Sequence, residues 1–176
     1  MKNNINYLEK KIRAIKDYPK PDIIYRDITP LLRDPQAFSL AIDLCCEKVD
    51  RDIDLIAAID ARGFILGSGI AYKTGKGIIP IRKMNKLPYN VIAEKYSLEY
   101  GHDQIELHTD SIEEGQKIVL VDDVLATGGT TEAAVKLIDR LGGQLCAIIF
   151  LLELKGLNGR TKIAKYADNI HSLIEF

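Results

Sequence analysis

Cysteine is scarce in this chain of 176 residues, and its three copies, Cys45, Cys46 and Cys146, are placed too unevenly for a disulfide framework. The first two are adjacent within one apolar helical pattern, so the thiols read as small core residues in a reducing, cytoplasmic setting. No metal-ligand spacing links them to His102, His108 or His171. An excess of one charge sign is lacking too. Lys and Arg number 24 against 25 Asp and Glu, a net charge of -1, which excludes a global attraction to nucleic acid or anionic membrane and makes any anion site local. No apolar run is long enough for a signal peptide or a membrane span, and there is no repeat, low-complexity tract or Pro, Gly or Ser-rich linker. With 47% hydrophobic residues, the expectation is one soluble domain over residues 1–176.

Two phosphate-binding motifs are missing. Gly67-Ser68-Gly69-Ile70-Ala71-Tyr72 lacks the third glycine of a dinucleotide fingerprint, and no Gly-Lys-Ser or Gly-Lys-Thr closes a P-loop.

What is present is Ile118 to Val121, an unbroken apolar run suited to a strand covered on both faces, followed at once by Asp122 and Asp123. The carboxyl ends of strands are where open α/β sheets bind ligands. Ala126, Thr127, Gly128, Gly129, Thr130 and Thr131 then supply small side chains and hydroxyls before an apolar-periodic segment, Ala133, Ala134, Leu137, Ile138 and Leu141. A loop feeding a helix N-terminus gathers backbone N–H groups into an anion site that suits a phosphate monoester. Carboxylates beside a phosphate site make sense for a ligand that also carries hydroxyls, and ribose 5-phosphate fits that description.

Along the chain, Ile5, Leu8, Ile12 and Ile15 predict an amphipathic helix ending before Pro19. Asp34-Pro35 predicts a capped helix start, with Phe38, Ala41, Ile42, Cys45 and Val49 as its buried face. Strands are expected at Leu55–Ile59, Gly77–Ile81, Lys117–Val121 and Leu145–Leu152, with a last one in Asn169–Phe176. Helices are expected at Phe64–Tyr72 and Thr131–Leu141, the second stopped by Gly142-Gly143. That alternation argues for an α/β fold with a mostly parallel central sheet flanked by helices. Residues 83–115 break the pattern, with weak alternation around Glu94–Leu98 and Gln104–His108, and read as a functional flap with little core character.

Two further charged loops share the expected ligand-binding edge. Asp60-Ala61-Arg62-Gly63-Phe64 follows the first of those strands and offers backbone amides plus Arg62 as a second anion site. Arg82-Lys83-Met84-Asn85-Lys86 follows the next.

The stretch Val121 to Thr130 closely resembles the phosphoribosyl diphosphate (PRPP) motif of type I phosphoribosyltransferases. Four more segments are similar to the adenine phosphoribosyltransferases: Tyr25 to Leu32, Asp60 to Phe64, Arg82 to Pro88 and Tyr96 to Gly101, in order over most of the chain from about Pro21 to Leu154. The resemblance implies the type I fold with an N-terminal hood over residues 1–33 and a mobile β flap over 83–115. It implies transfer of phosphoribosyl from PRPP to N9 of adenine, giving AMP and diphosphate in purine salvage. Asp122, Asp123 and Ala126, Thr127, Gly128, Gly129 and Thr130 would hold the ribose and 5-phosphate. Ala61, Arg62, Arg82, Lys83 and Lys86 would hold diphosphate; Tyr25 would stack on adenine, with Ile24 and Arg26 reading its edge through their backbone. Glu99 would handle the N9 proton with Tyr100 beside it on the flap. Mg2+, bound with PRPP or diphosphate and without an assigned protein ligand, is implied as cofactor, and a homodimer as the assembly, with no nucleic acid or membrane partner.

This chain departs from the family at Ala61, where serine is common, and at Asn85, where glycine is common. The alternatives are a phosphoribosyltransferase for hypoxanthine, guanine, xanthine or orotate, a purine-responsive regulator on the same fold, or a PRPP-binding protein without catalysis. The first shares the grip but not the pairing of the Tyr25 and Tyr96 segments; the second needs a basic face or added helices for which the charge balance leaves no room.

Overall fold

The structure, a computed structural model, describes residues 2–98 and 101–176. It divides into two compact units, Met1–Leu44 and Cys45–Phe176.

In the first unit the helix α1 (Lys2–Glu9) is shorter than its apolar periodicity suggests. Residues Arg13–Lys16 form β1 instead, antiparallel to β2 (Ile24–Asp27) with Ile15 opposite Tyr25. The i, i+3 spacing of Ile12 and Ile15 fits a helix, and pairing with β2, about ten residues on, overrides that local pattern. A short helix α2 (Thr29–Arg33) follows, introduced by Asp27, whose carboxylate accepts from Thr29 N and Thr29 Oγ1, both at 2.9 Å. The helix α3 (Pro35–Cys46) starts as expected, with Asp34 Oδ1 accepting from Gln36 N and Ala37 N at 3.0 Å each. Ala37, Ala41, Ile42, Leu44 and Cys45 are its buried face, while Phe38 is half-buried.

The second unit is built on a seven-stranded sheet. In chain order it contains β3 (Leu55–Ile59), α4 (Arg62–Thr74), β4 (Gly77–Lys83), β5 (Val91–Leu98), β6 (Gly101–His108), β7 (Lys117–Leu125), α5 (Gly129–Arg140), β8 (Gln144–Glu153), α6 (Gly159–Ile163) and β9 (Ile170–Glu175). Strand order is β5-β6-β4-β3-β7-β8-β9. The run from β4 to β9 through β3 is parallel, and the β5–β6 hairpin adds antiparallel to β4. Alternate residues of β3 point to the two layers. Ile56 and Ala58 meet α4, which docks through Gly67: a Cβ there would stand 2.6 Å from Ala58 Cβ. Ala57 and Ile59 join the core cluster of Ala133, Ala134, Leu137 and Ile138 from α5.

The flap expectation is corrected in one respect. Ile105 and Leu107 are fully buried and Tyr96 nearly so, all within that same core cluster, so the hairpin is part of the sheet. Glu106 continues the alternation as a polar residue but is itself buried, so both faces of the strand are covered and the segment reads as more exposed than it is. Among the cysteines, Cys45 is a core residue, its thiol pushed up to about 12 by burial, whereas Cys46 and Cys146 are half-buried.

Candidate active site

Three loops meet where the sheet changes direction. From β3 the chain crosses by α4 to β4 on one side, and β7 lies against β3 on the other, which makes the carboxyl ends of β3 and β7 a topological switch point. The two strands end at different heights. β7 pairs with β3 only as far as Val121, opposite Ala58, but continues against β8 to Leu125. Asp122 and Asp123 therefore belong to the strand, not to the loop after it, and occupy the overhang of β7 past its last pair with β3.

Into that overhang turns the Asp60-Ala61-Arg62 loop, whose Asp60–Ala61 peptide is cis. Gly63 lets it come close: a Cβ there would lie 3.0 Å from Asp122 Oδ1 and 3.0 Å from the carbonyl oxygen of Val121. Arg62 Nε reaches 2.7 Å from Asp123 Oδ2 as an ion pair, and among the described residues this buried oxygen is otherwise without a hydrogen-bond partner. Burial raises the carboxyl of Asp123 above the usual range, with Arg62 opposing. Burial, and next the charge of Asp123, push Asp122 well above it, although Asp122 Oδ1 accepts from Asp123 N at 2.8 Å. Two acids held in this way can accept hydrogen bonds from vicinal hydroxyls.

Beyond the acids, Gly128 takes a left-handed φ of 78° and Gly129 opens α5. The first N–H groups of α5 have no partner within the helix, and they gather at the loop formed by Ala126, Thr127, Gly128, Gly129 and Thr130. Thr127 is exposed and Thr130 half-buried, while Thr131 is packed away.

The third loop is pinned rather than loose. Arg82 Nε donates to Asp60 Oδ2 at 3.3 Å and Nη1 donates to Lys86 O at 3.2 Å, which joins the second and third loops. Asn85 N donates to Oε2 of the buried Glu106 at 3.0 Å. Asn85 has φ 62°, so its backbone is left-handed, a conformation that asparagine tolerates and glycine takes freely. The departure from glycine at this position keeps the turn. Lys83 Nζ lies 3.1 Å from Asp103 Oδ2, which also accepts from Tyr96 Oη at 3.0 Å, and Tyr96 interacts in turn with Thr130. Lys86 is exposed.

The structure thus brings together Asp122, Asp123, Arg62 and Arg82, with the Ala126 to Thr130 loop continuing from the acids. Ile24, Tyr25 and Arg26 lie on β2 of the first unit, where Tyr25 meets Tyr18 edge-on at 5.3 Å. Glu99 and Tyr100 fall outside the described residues. From sequence, Asp60 and Gly63 appear only as members of the Arg62 loop and Glu106 only within the Gln104–His108 alternation, with no role of their own.

The description "phosphoribosyl transferase domain" belongs to the family pattern that matches residues 31–176. An adenine phosphoribosyltransferase of Thermotoga neapolitana is 54% identical over 170 residues, covering 96% of this chain and 99% of its own. The crystal structure of the adenine phosphoribosyltransferase from Thermoanaerobacter pseudethanolicus superposes with a TM-score of 0.93 at 47% identity, covering 98% of this chain and 99% of its own. That of Saccharomyces cerevisiae, complexed with an imino-altritol bisphosphate and adenine, has a TM-score of 0.90 at 31% identity, covering 98% and 99%.

Proposed function

Because this chain belongs to the adenine phosphoribosyltransferases, type I members of the phosphoribosyl transferase family, we propose how its residues divide the work of moving phosphoribosyl from PRPP to adenine. The reaction makes AMP and diphosphate, a step of purine salvage. The observation that carries the residue assignment is the overhang of β7 beyond β3, which sets an acid pair, an arginine and a phosphate-shaped loop on one edge.

Asp122 and Asp123 hold the ribose hydroxyls, which supply the hydrogen-bond donors that the buried Asp123 Oδ2 lacks. Ala126 to Thr130 anchor the 5-phosphate, so that binding energy remote from C1 positions the reacting carbon. Ala61, through its backbone, and Arg62, Arg82, Lys83 and Lys86 hold diphosphate. Arg62 and Lys83 rest on carboxylates, Asp123 and Asp103, in the free protein, and exchange them for a multiply charged leaving group.

Among the described residues no group of three or more Asp, Glu, His or Cys side chains could hold a metal ion, so magnesium would be held mainly through the oxygens of PRPP and diphosphate. When bound, magnesium neutralises charge that builds on the leaving diphosphate. N9 of adenine then attacks C1 with inversion through a transition state of oxocarbenium character. Tyr25 stacks on adenine and the backbone of Ile24 and Arg26 reads its edge, as the family resemblance implies. Glu99 takes up the N9 proton, and Tyr100 beside it excludes water that competes with the base.

A homodimer is the proposed assembly. Ile65 and Tyr72, seven residues apart on one face of α4, are exposed, Tyr72 at 92%, and the exposed Ile78 lies beside α4 next to Gly67. The cytoplasm is its proposed place, given three cysteines too few and too unevenly placed for a disulfide framework.

Replacing Asp122 and Asp123 together by Asn tests the ribose assignment. PRPP binding is expected to fall by two orders of magnitude or about that, as for a misplaced reacting group, with the fold retained; near-normal KM for PRPP and kcat would end the assignment.

A further inference from the structure

Behind the loop assigned to the 5-phosphate stands a turn that this assignment does not use. After β8 the chain passes Asn158, itself left-handed at φ 54°, and enters α6 at the buried Gly159. Gly159 and the loop meet backbone to backbone. A Cβ on Gly159 would lie 2.2 Å from the carbonyl oxygen of Ala126 and 2.9 Å from Leu125 Cδ1; one on Gly128 would lie 2.8 Å from the carbonyl oxygen of Gly159. Gly128 needs its left-handed backbone as well, but Gly159 has no positive φ, so close approach is what demands glycine there.

The next residue braces the turn. Arg160 Nε donates to Glu153 Oε1 and Oε2 at 2.9 and 3.1 Å, Nη1 donates to the carbonyl oxygen of Ile170 at 2.9 Å, and Nη2 donates to Ser172 Oγ at 3.0 Å and to Glu153. Glu153 is 4% exposed and sits opposite Leu125 in the β7–β8 ladder, the residue just before the loop. Ile163, at the far end of α6, is in the core. Burying a carboxylate against an arginine brings little net stability compared with an apolar pair. Its forked geometry instead fixes Arg160, and with it Gly159, against both β8 and β9.

We propose that Gly159 and Arg160 are positioning residues for the 5-phosphate: Gly159 is the backstop that sets the height of the Ala126–Gly128 backbone, and Arg160 is the brace that holds the backstop. The proposal rests on the assignment of Ala126 to Thr130 to the 5-phosphate. Its consequence is selective, because ligands with a 5-phosphate feel the backstop and diphosphate, on other loops, does not.

The experiment uses the full chain with Gly159→Ala, Arg160→Gln and Arg160→Lys, and Thr130→Val as a direct probe of the loop. Steady-state kinetics give KM for PRPP and adenine and kcat, and competition against PRPP gives inhibition constants for ribose 5-phosphate and for inorganic diphosphate. Gly159→Ala and Arg160→Gln are expected to weaken ribose 5-phosphate inhibition and raise KM for PRPP about tenfold, the scale of a sub-ångström misplacement, while diphosphate inhibition moves less than about twofold. Arg160→Lys recovers part of the loss, since one ammonium restores a contact to Glu153 but not the fork. If Gly159→Ala does not fold, the two Arg160 variants decide. Equal changes for both inhibitors, or none for either, overturn the proposal. Thr130→Val separates the levels: if it weakens ribose 5-phosphate and the Gly159 and Arg160 variants do not, the backstop alone is wrong. If Thr130→Val also leaves ribose 5-phosphate unchanged, the loop assignment falls and the proposal with it.

Discussion

Arg62 Nε stands 2.7 Å from Asp123 Oδ2, tying the loop after β3 to the acid pair on β7. Arg62 is the cation that opposes the effect of burial on Asp123. Removing it as Arg62→Gln leaves the carboxyl raised further, so ionisation of Asp123 moves to higher pH. The acid limb of kcat/KM for PRPP is expected to shift upward in pH, with KM for PRPP rising about tenfold or more as a charge-assisted contact to diphosphate is lost. A pH profile of the variant checks both, and an unmoved acid limb separates Arg62 from Asp123.

Two glycines on α4 carry different duties. An added methyl at Gly63 meets Asp122 Oδ1 and Val121 O at 3.0 Å, whereas one at Gly67 meets Ala58 Cβ at 2.6 Å within the packed interior. Gly63→Ala is expected to raise KM for PRPP with a small change in melting temperature. Gly67→Ala is expected to cost about 1–3 kcal/mol by overpacking, with the kinetics of the folded fraction intact. Thermal melts and steady-state kinetics on the pair distinguish the two.

Asp122 is costly to the free protein. Its folded carboxyl is raised by burial and by Asp123, so its contribution to stability is best below the usual carboxylate range and is lost as pH rises from there toward the raised value. Asp122→Asn is therefore expected to melt higher at neutral pH, by about 2 to 4 °C for each 1 kcal/mol relieved in a chain of this size. PRPP binding weakens in the same variant. Calorimetry with and without PRPP measures both effects, and a lower melting temperature at pH 7 contradicts the electrostatic reading.

Where burial on two faces and period agree, the elements are legible in the sequence. The unbroken runs at Leu55–Ile59 and Lys117–Val121 are strands, and Asp34 caps α3 as its sequence says. What stayed hidden depended on contacts distant in sequence. β1 exists because β2 pairs with it, the β5–β6 hairpin is core because Ile105 and Leu107 turn inward around a buried Glu106, and β7 extends past its acids because β8 supports it there. The charged site residues could be named from motif and resemblance. The glycines that allow them to meet, Gly63 and Gly159, could not, since close approach leaves no mark in a single sequence beyond the glycine itself.

Asp34 gives the N-terminal unit an acid sensitivity. Lys11, at 2.6 Å, and the N–H groups of Ala37 and Gln36 hold its carboxyl down to about 2. That contribution is complete above the usual carboxylate pKa of 3.8 and is lost as pH falls toward 2. Both partners are solvent-accessible, so the effect is modest and fades with salt. Asp34→Asn keeps a side-chain oxygen for the cap and removes the titrating charge. Acid unfolding followed by circular dichroism is expected to lose part of its slope between those limits in the variant, and an identical slope counts against Asp34 as a source.

The most direct test of the central claim is a competition among bases. The protein is incubated with PRPP, magnesium and an equimolar mixture of adenine, hypoxanthine, guanine, xanthine and orotate, and the nucleotides are resolved by chromatography. AMP is expected as the dominant product with stoichiometric diphosphate; formation of only IMP, GMP, XMP or OMP, or of no nucleotide, would contradict the account.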